Sequence, residues 1–307
     1  MNDPLITLKR AEDVVELIRM RCGFISYLAF SPDGSTLAVA HGSGLWLWSD
    51  SFGGTPTLRL AANEAPIKYI AFSPDSRVIA SAGVDKLVRL WIANSGAPLS
   101  LLRGHSDAVE TVAFNPGGTI LASGSADTSL RLHQFVDTTS SETLHGHTRE
   151  ITSVAFAHDH LVFASGSWDN SARLWDIDTR REIAVFPHAD WVRHLQFNPK
   201  TDDLATACKD GFISIWNIST HTLDNRWHAH VGGVDCVAYS SDGQILASGG
   251  RDGTVKLWNA HDGSLLKSLD QHEKSVLTLA FHPQGTLLAS GSGDNTVRLW
   301  GLAPDDQ

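Results

Sequence analysis

Four sets of histidine, hydroxyl residue, aspartate and tryptophan recur along this chain: His147, Ser165, Asp169 and Trp175; His188, Thr206, Asp210 and Trp216; His230, Ser248, Asp252 and Trp258; and His272, Ser290, Asp294 and Trp300. Counted from the histidine, the offsets are 18, 22 and 28 residues in every set. Serine, histidine and aspartate are the parts of a hydrolase's nucleophile, base and orienting acid. Such a site also needs an exposed hydroxyl and an oxyanion hole, and hydrolysis does not require four copies with an indole attached. The same residue types form a hydrogen-bond chain. An indole N–H only donates, a hydroxyl and an imidazole do both, and a carboxylate only accepts. In the order Trp–Ser–His–Asp every member is satisfied, and a satisfied buried network stiffens its surroundings. We therefore read the sets as structural tetrads, assign no catalytic residue, and expect no enzyme.

Other reactive groupings are weaker. Of fifteen histidines, five (His105, His147, His188, His230 and His272) belong to the recurring frame. The pairs His158/His160 and His228/His230 lack acidic or cysteine partners at metal-motif offsets, so no metal is expected. Gly249, Gly250 and Gly253 read as hairpin-turn glycines with no helix behind them, so no phosphate cradle and no cofactor is expected. Cys22, Cys208 and Cys236 are odd in number and widely spaced, which suits a reducing, cytoplasmic setting. The first twenty residues lack a signal peptide's basic start and apolar core, and no run is apolar for long enough to span a membrane. A formal charge of -10 argues against nucleic acid as a partner.

The elements that must position the tetrads are short strands. Apolar segments end at Trp48, Trp91, His133, Trp175, Trp216, Trp258 and Trp300, with spacings of 43, 42, 42, 41, 42 and 42 residues. Between them lie turn phrases such as Ser31-Pro32-Asp33-Gly34, where proline presets φ and glycine accepts φ > 0. Four antiparallel strands per copy, seven times over, cannot bury both faces alone but can when stacked in a closed ring.

With its His, second-strand Ser or Thr, turn Asp and closing Trp, the repeat resembles that of the WD-repeat β-propeller family, over nearly the whole chain; the family's Gly before the His stands here at Gly104 and Gly146. The resemblance implies an all-β, seven-bladed propeller with four antiparallel strands per blade and a single domain over 1–307. Some copies depart from the pattern. The third has His105, Ser123 and Asp127 but His133 in place of Trp, and the second has Asn63 at the His position. The first keeps only Trp48, with Arg21 and Val39 in other slots. After Trp300 too little chain remains for a last outer strand, so the N-terminal segment Val14 to Ile18 is expected to close the final blade; a helix over 11–20 is the alternative.

The resemblance also implies a function: a non-catalytic scaffold presenting its narrow face to a protein or peptide. A permanently docked architectural subunit is the alternative, and an enzyme with a site at the central channel a more remote one. The family's face-lining positions fall on Phe24, Glu150, Trp168, Trp191, Arg193, Lys209, Asp235 and Arg251 in this chain. Smaller residues such as Ser26, Lys68, Glu110, Thr152 and Leu277 occupy equivalent positions. Aromatics and cations concentrate on blades four to six, and Arg193, Lys209 and Arg251 together suggest an acidic or phosphorylated partner segment.

Overall fold

Period-two alternation, broken every few residues by turns rich in Asp, Pro and Gly, favours short antiparallel strands. The computed structural model describes every residue except 1–4, 43, 50, 61–64, 136–140, 159–160, 202 and 304–307, so Asn63, His160 and both ends of the expected domain lie outside the described residues. It is a seven-bladed propeller: seven four-stranded antiparallel sheets, with no α-helix among the described residues. Blade four is typical, its strands running Ile151–Phe156, Val162–Ser167, Ser171–Asp176 and Glu182–Pro187 from the axis outwards. The first strand of each blade touches those of both neighbours, closing a circle from blade seven to blade one. Burial follows from position. The second strand is covered on both faces and is buried throughout, as in Ile120–Ser125 and Ile245–Gly250, whereas outer strands such as Pro98–Leu102 are half-open. The core consists of apolar layers between neighbouring blades. Ala38, Leu45 and Leu47 of blade one, for instance, meet Ile67, Ile70 and Ile79 of blade two.

The N-terminal segment closes the ring. Val14–Arg21 pairs antiparallel with Thr296–Leu302, from Val14 opposite Leu302 to Arg21 opposite Thr296. This strand runs three residues beyond the expected Ile18, and Glu16 forms an ion pair with Arg298. The helical alternative survives only as a 3-10 turn at Leu8–Asp13. Ile6 and Ala11 are buried with Val14 against blades six and seven, and the Lys267 ammonium donates to the Glu12 carbonyl at 2.6 Å.

The tetrads differ between blades. In blade four Trp175 Nε1–H donates to Ser165 Oγ at 2.8 Å. Ser165 lies 2.7 Å from His147 Nε2, and His147 Nδ1 lies 2.8 Å from Asp169. Blades six and seven repeat the chain through Ser248, His230 and Asp252, and through Ser290, His272 and Asp294. In blade three His133 takes the indole's place, 3.3 Å from Ser123. Blade five departs from the expected chain. Trp216, Thr206 and His188 are linked, but His188 Nδ1–H donates to the Phe186 carbonyl at 3.0 Å, not to Asp210. Asp210 instead accepts from Arg226 at 2.7 Å, a guanidinium held over the Phe212 ring that outcompetes a neutral imidazole for the carboxylate. Blade one lacks a second-strand hydroxyl because Val39 stands there, and the Trp48 indole turns to the Gly54 carbonyl at 3.3 Å.

Candidate functional site

The tetrad hydroxyls cannot meet a substrate: Ser165, Thr206, Ser248 and Ser290 are all 0% exposed. Among the described residues no cluster of three or more His, Cys, Asp or Glu could hold a metal. The surface with organised side chains is the channel mouth, built by a repeated irregularity. In every blade the innermost strand slips register against the second strand at one place, between Ile25 and Tyr27 in blade one and at the equivalent point in the other six. A bulge leaves its extra residue outside the ladder and re-aims the side chain. The residues skipped are Ser26, Lys68, Glu110, Thr152, Arg193, Asp235 and Leu277, and all seven line one open cup of about 480 Å³. Phe24, Pro66, Val84 and Trp168 complete its walls.

Charges on this ring are paired between neighbouring blades. Lys68 lies 3.1 Å from Glu110, and Arg193 lies 3.2 Å from Asp235. Arg251 approaches the same Asp235 oxygen at 3.5 Å. Burial of the Asp235 side chain, only 7% exposed, raises its pKa despite the lowering influence of Arg193 and Arg251.

Tyr27, Tyr69 and His194 form the floor of the cup. The tyrosine rings stack with centroids 3.6 Å apart, and the Tyr27 hydroxyl donates to that of Tyr69 at 2.6 Å. His194 Nδ1 accepts from the Val237 N–H at 3.5 Å, which assigns the proton to Nε2, 3.4 Å and 3.3 Å from the two phenol oxygens. Burial pushes His194 down to about 4 and Tyr69 up to about 12, so the trio is neutral at pH 7. The same three residues line a second cavity of about 450 Å³ on the far side, walled by residues such as Ala29, Ala71 and Phe114, and so divide the channel in two.

Of the residues expected at the docking face, Phe24, Trp168, Arg193 and Asp235 line the cup. The other four stand beside it. Trp191 stacks on Trp168 at 4.4 Å and 17°, and Lys209 Nζ sits 3.9 Å from the Trp191 ring centre. Arg251 reaches Asp235 from outside, and the Glu150 carbonyl accepts the Trp168 N–H at 3.0 Å. The three cations are not free: Arg193 and Arg251 face Asp235, and Lys209 is 3.7 Å from Asp190. With the Glu150 carboxylate also beside the cup, three positive charges stand against three carboxylates, and this sector carries no surplus.

Sequence reasoning passed over Tyr27, Tyr69 and His194, although the signal was present. Positions 27, 69, 111, 153, 194, 236 and 278 recur with the repeat, and Thr111, Ser153, Cys236 and Thr278 are small. Thr111, Ser153 and Thr278 each accept a backbone N–H from the next blade at 3.2 Å. Three large rings at a position otherwise given to small residues narrow the channel there.

A family model described as "WD domain, G-beta repeat" matches residues 54–91, 96–134, 138–176, 180–217, 220–259 and 263–301, well over half of the chain. The first three strands of blade one fall outside these matches, consistent with its missing His, Ser and Asp. A curated relative, "Kinesin-like protein KIF21B" of Mus musculus, is 33% identical over 69 residues. That stretch covers 22% of this chain and 4% of the kinesin-like protein.

Proposed function

The chain belongs to the WD domain, G-beta repeat family, and from that premise we propose that its bulge-lined face is a docking platform for a protein or peptide. Propellers of this family are generally interaction scaffolds and typically non-catalytic. The observation that carries the reading is the convergence of seven bulged residues on one cup flanked by the Trp168–Trp191–Lys209 stack. Aromatics and arginines dominate binding hot spots, and here Trp168, Trp191 and Arg251 stand on short turns held by the strands of the blades, which limits the entropy lost on binding. Lys209 and Arg251 are partly exposed beside the cup, and these two cations favour an acidic or phosphorylated segment of the partner there. A cytoplasmic setting fits the three cysteines, all free and buried. Among the described residues no helix is long and apolar enough to cross a membrane.

The test is calorimetric titration with a partner isolated on the purified ring. Trp168→Ala is expected to weaken it by at least about 1 kcal/mol with the ring still folded, and Arg251→Ala to weaken it in a salt-dependent way. Arg193→Ala is a poorer probe than the sequence suggests, because it leaves the buried Asp235 carboxylate only the more distant and more exposed Arg251. Unchanged affinity in both Trp168→Ala and Arg251→Ala would move the site to another surface.

A further inference from the structure

The cup's own lining departs in character from Lys209 and Arg251 beside it. Its ionisable wall residues are two cations and two carboxylates, Lys68 with Glu110 and Arg193 with Asp235, already joined across neighbouring blades. Its floor is a neutral trio whose polar atoms face one another. The wall hydroxyls of Ser26 and Thr152 donate to backbone carbonyls, and the rest of the wall is apolar: Phe24, 61% exposed at the lip, with Pro66, Val84, Leu277 and Trp168. A carboxylate or ammonium entering here would lose its water and find no unpaired counter-charge. An apolar group would release water from both surfaces.

We propose that the cup receives one large apolar side chain, leucine or an aromatic, from the docked polypeptide. The acidic part of that polypeptide lies outside the cup, over Lys209 and Arg251. The floor sets the depth: the guest ends on the Tyr27 and Tyr69 rings and does not thread the channel. This rests on the docking reading above and adds the chemistry of the anchor.

The probes are N-acetyl amides of leucine, phenylalanine, aspartate and arginine, tested one at a time on the full chain by saturation-transfer NMR. The leucine and phenylalanine probes are expected to bind at roughly millimolar affinity, as single side chains do, and to compete with each other. Phe24→Ala, an exposed position outside the tetrads, is expected to weaken both by about threefold or more while leaving the circular dichroism and melting curve unchanged. The aspartate and arginine probes are expected to give no comparable signal. Equal or stronger binding by a charged probe overturns the proposal, as does no binding by either apolar probe, or apolar binding indifferent to Phe24→Ala. Partner titration separates this failure from that of the docking reading. If Trp168→Ala loses the partner while the apolar probes fail, the face stands and the apolar anchor falls. If the probes bind but the partner ignores both variants, the docking face falls.

Discussion

Replacing the tetrad aspartates one blade at a time should cost stability in proportion to what each carboxylate holds. Asp169 accepts from His147, from the backbone N–H groups of Thr148 and Ser171, and from the Ser171 hydroxyl, at 2.6 to 3.1 Å. Its side chain is 5% exposed, so water cannot replace it readily. Asp169→Ala removes four accepted bonds and leaves the buried His147 Nδ1–H only the Ser171 hydroxyl, at 3.5 Å. At about 1 kcal/mol net per bond, and with rearrangement recovering part of the loss, the expected cost is about 3 kcal/mol. Asp252 makes similar bonds, but its side chain is 21% exposed, so water compensates and Asp252→Ala should cost about 2 kcal/mol. Asp210 holds no histidine: its partners are Arg226, itself 40% exposed, and the Phe212 N–H. Asp210→Ala should therefore cost only about 1 kcal/mol. Arg251→Ala, next to Asp252 but outside its chain, should stay within about 0.5 kcal/mol. The assay is reversible urea unfolding followed by tryptophan fluorescence, comparing midpoints at equal slope. If Asp210→Ala proves as costly as Asp169→Ala, the broken chain in blade five is wrong, and with it the account of why these residues recur.

Two further outcomes follow from closure and from burial. Deleting residues 5–21 uncovers the edge at Thr296–Leu302 and removes the buried Ile6, Val14 and Met20 side chains, worth about 1.5–3 kcal/mol each. That loss is comparable to a domain's whole stability, so the truncated chain should lose its cooperative melt, and retention of a wild-type melting curve would refute closure by this strand. Stability should also fall with pH in two stages, read from melting curves between pH 7 and 2. Burial holds His133, His188 and His194 down to about 4 against an ordinary 6.5, so from pH 6.5 to 4 the unfolded chain takes up protons that the folded ring refuses. Each contributes a limiting slope of ~1.4 kcal/mol per pH unit, and His133→Gln should remove one such contribution. Burial raises Asp127, but hydrogen bonds from Ser129 and the Ser106 N–H outweigh it and hold the carboxyl at about 2. Its stabilisation is present above about 3.8 and is lost as pH falls towards 2. A flat profile between pH 7 and 4.5 would contradict the buried neutral histidines.

The amino-acid sequence by itself determined the blade count, the strand order within a blade and the place of closure. These depend on local periodicity and on a repeat that no single blade can satisfy alone. It also carried the tetrads of blades four, six and seven, since fixed offsets in regular strands bring the same atoms together each time. Only the tertiary structure decided where that regularity yields. Asp210 leaves His188 because Arg226, on the outer strand, competes for it, a contact that no offset within the tetrad encodes. The cations expected to await an acidic ligand are partly neutralised, because Asp235 sits in the neighbouring blade 42 positions from Arg193, beyond the reach of any local pattern. The floor of the cup joins blades one, two and five across the axis. Tyr27, Tyr69 and His194 meet only because seven blades close a circle small enough for large side chains at one repeat position to touch.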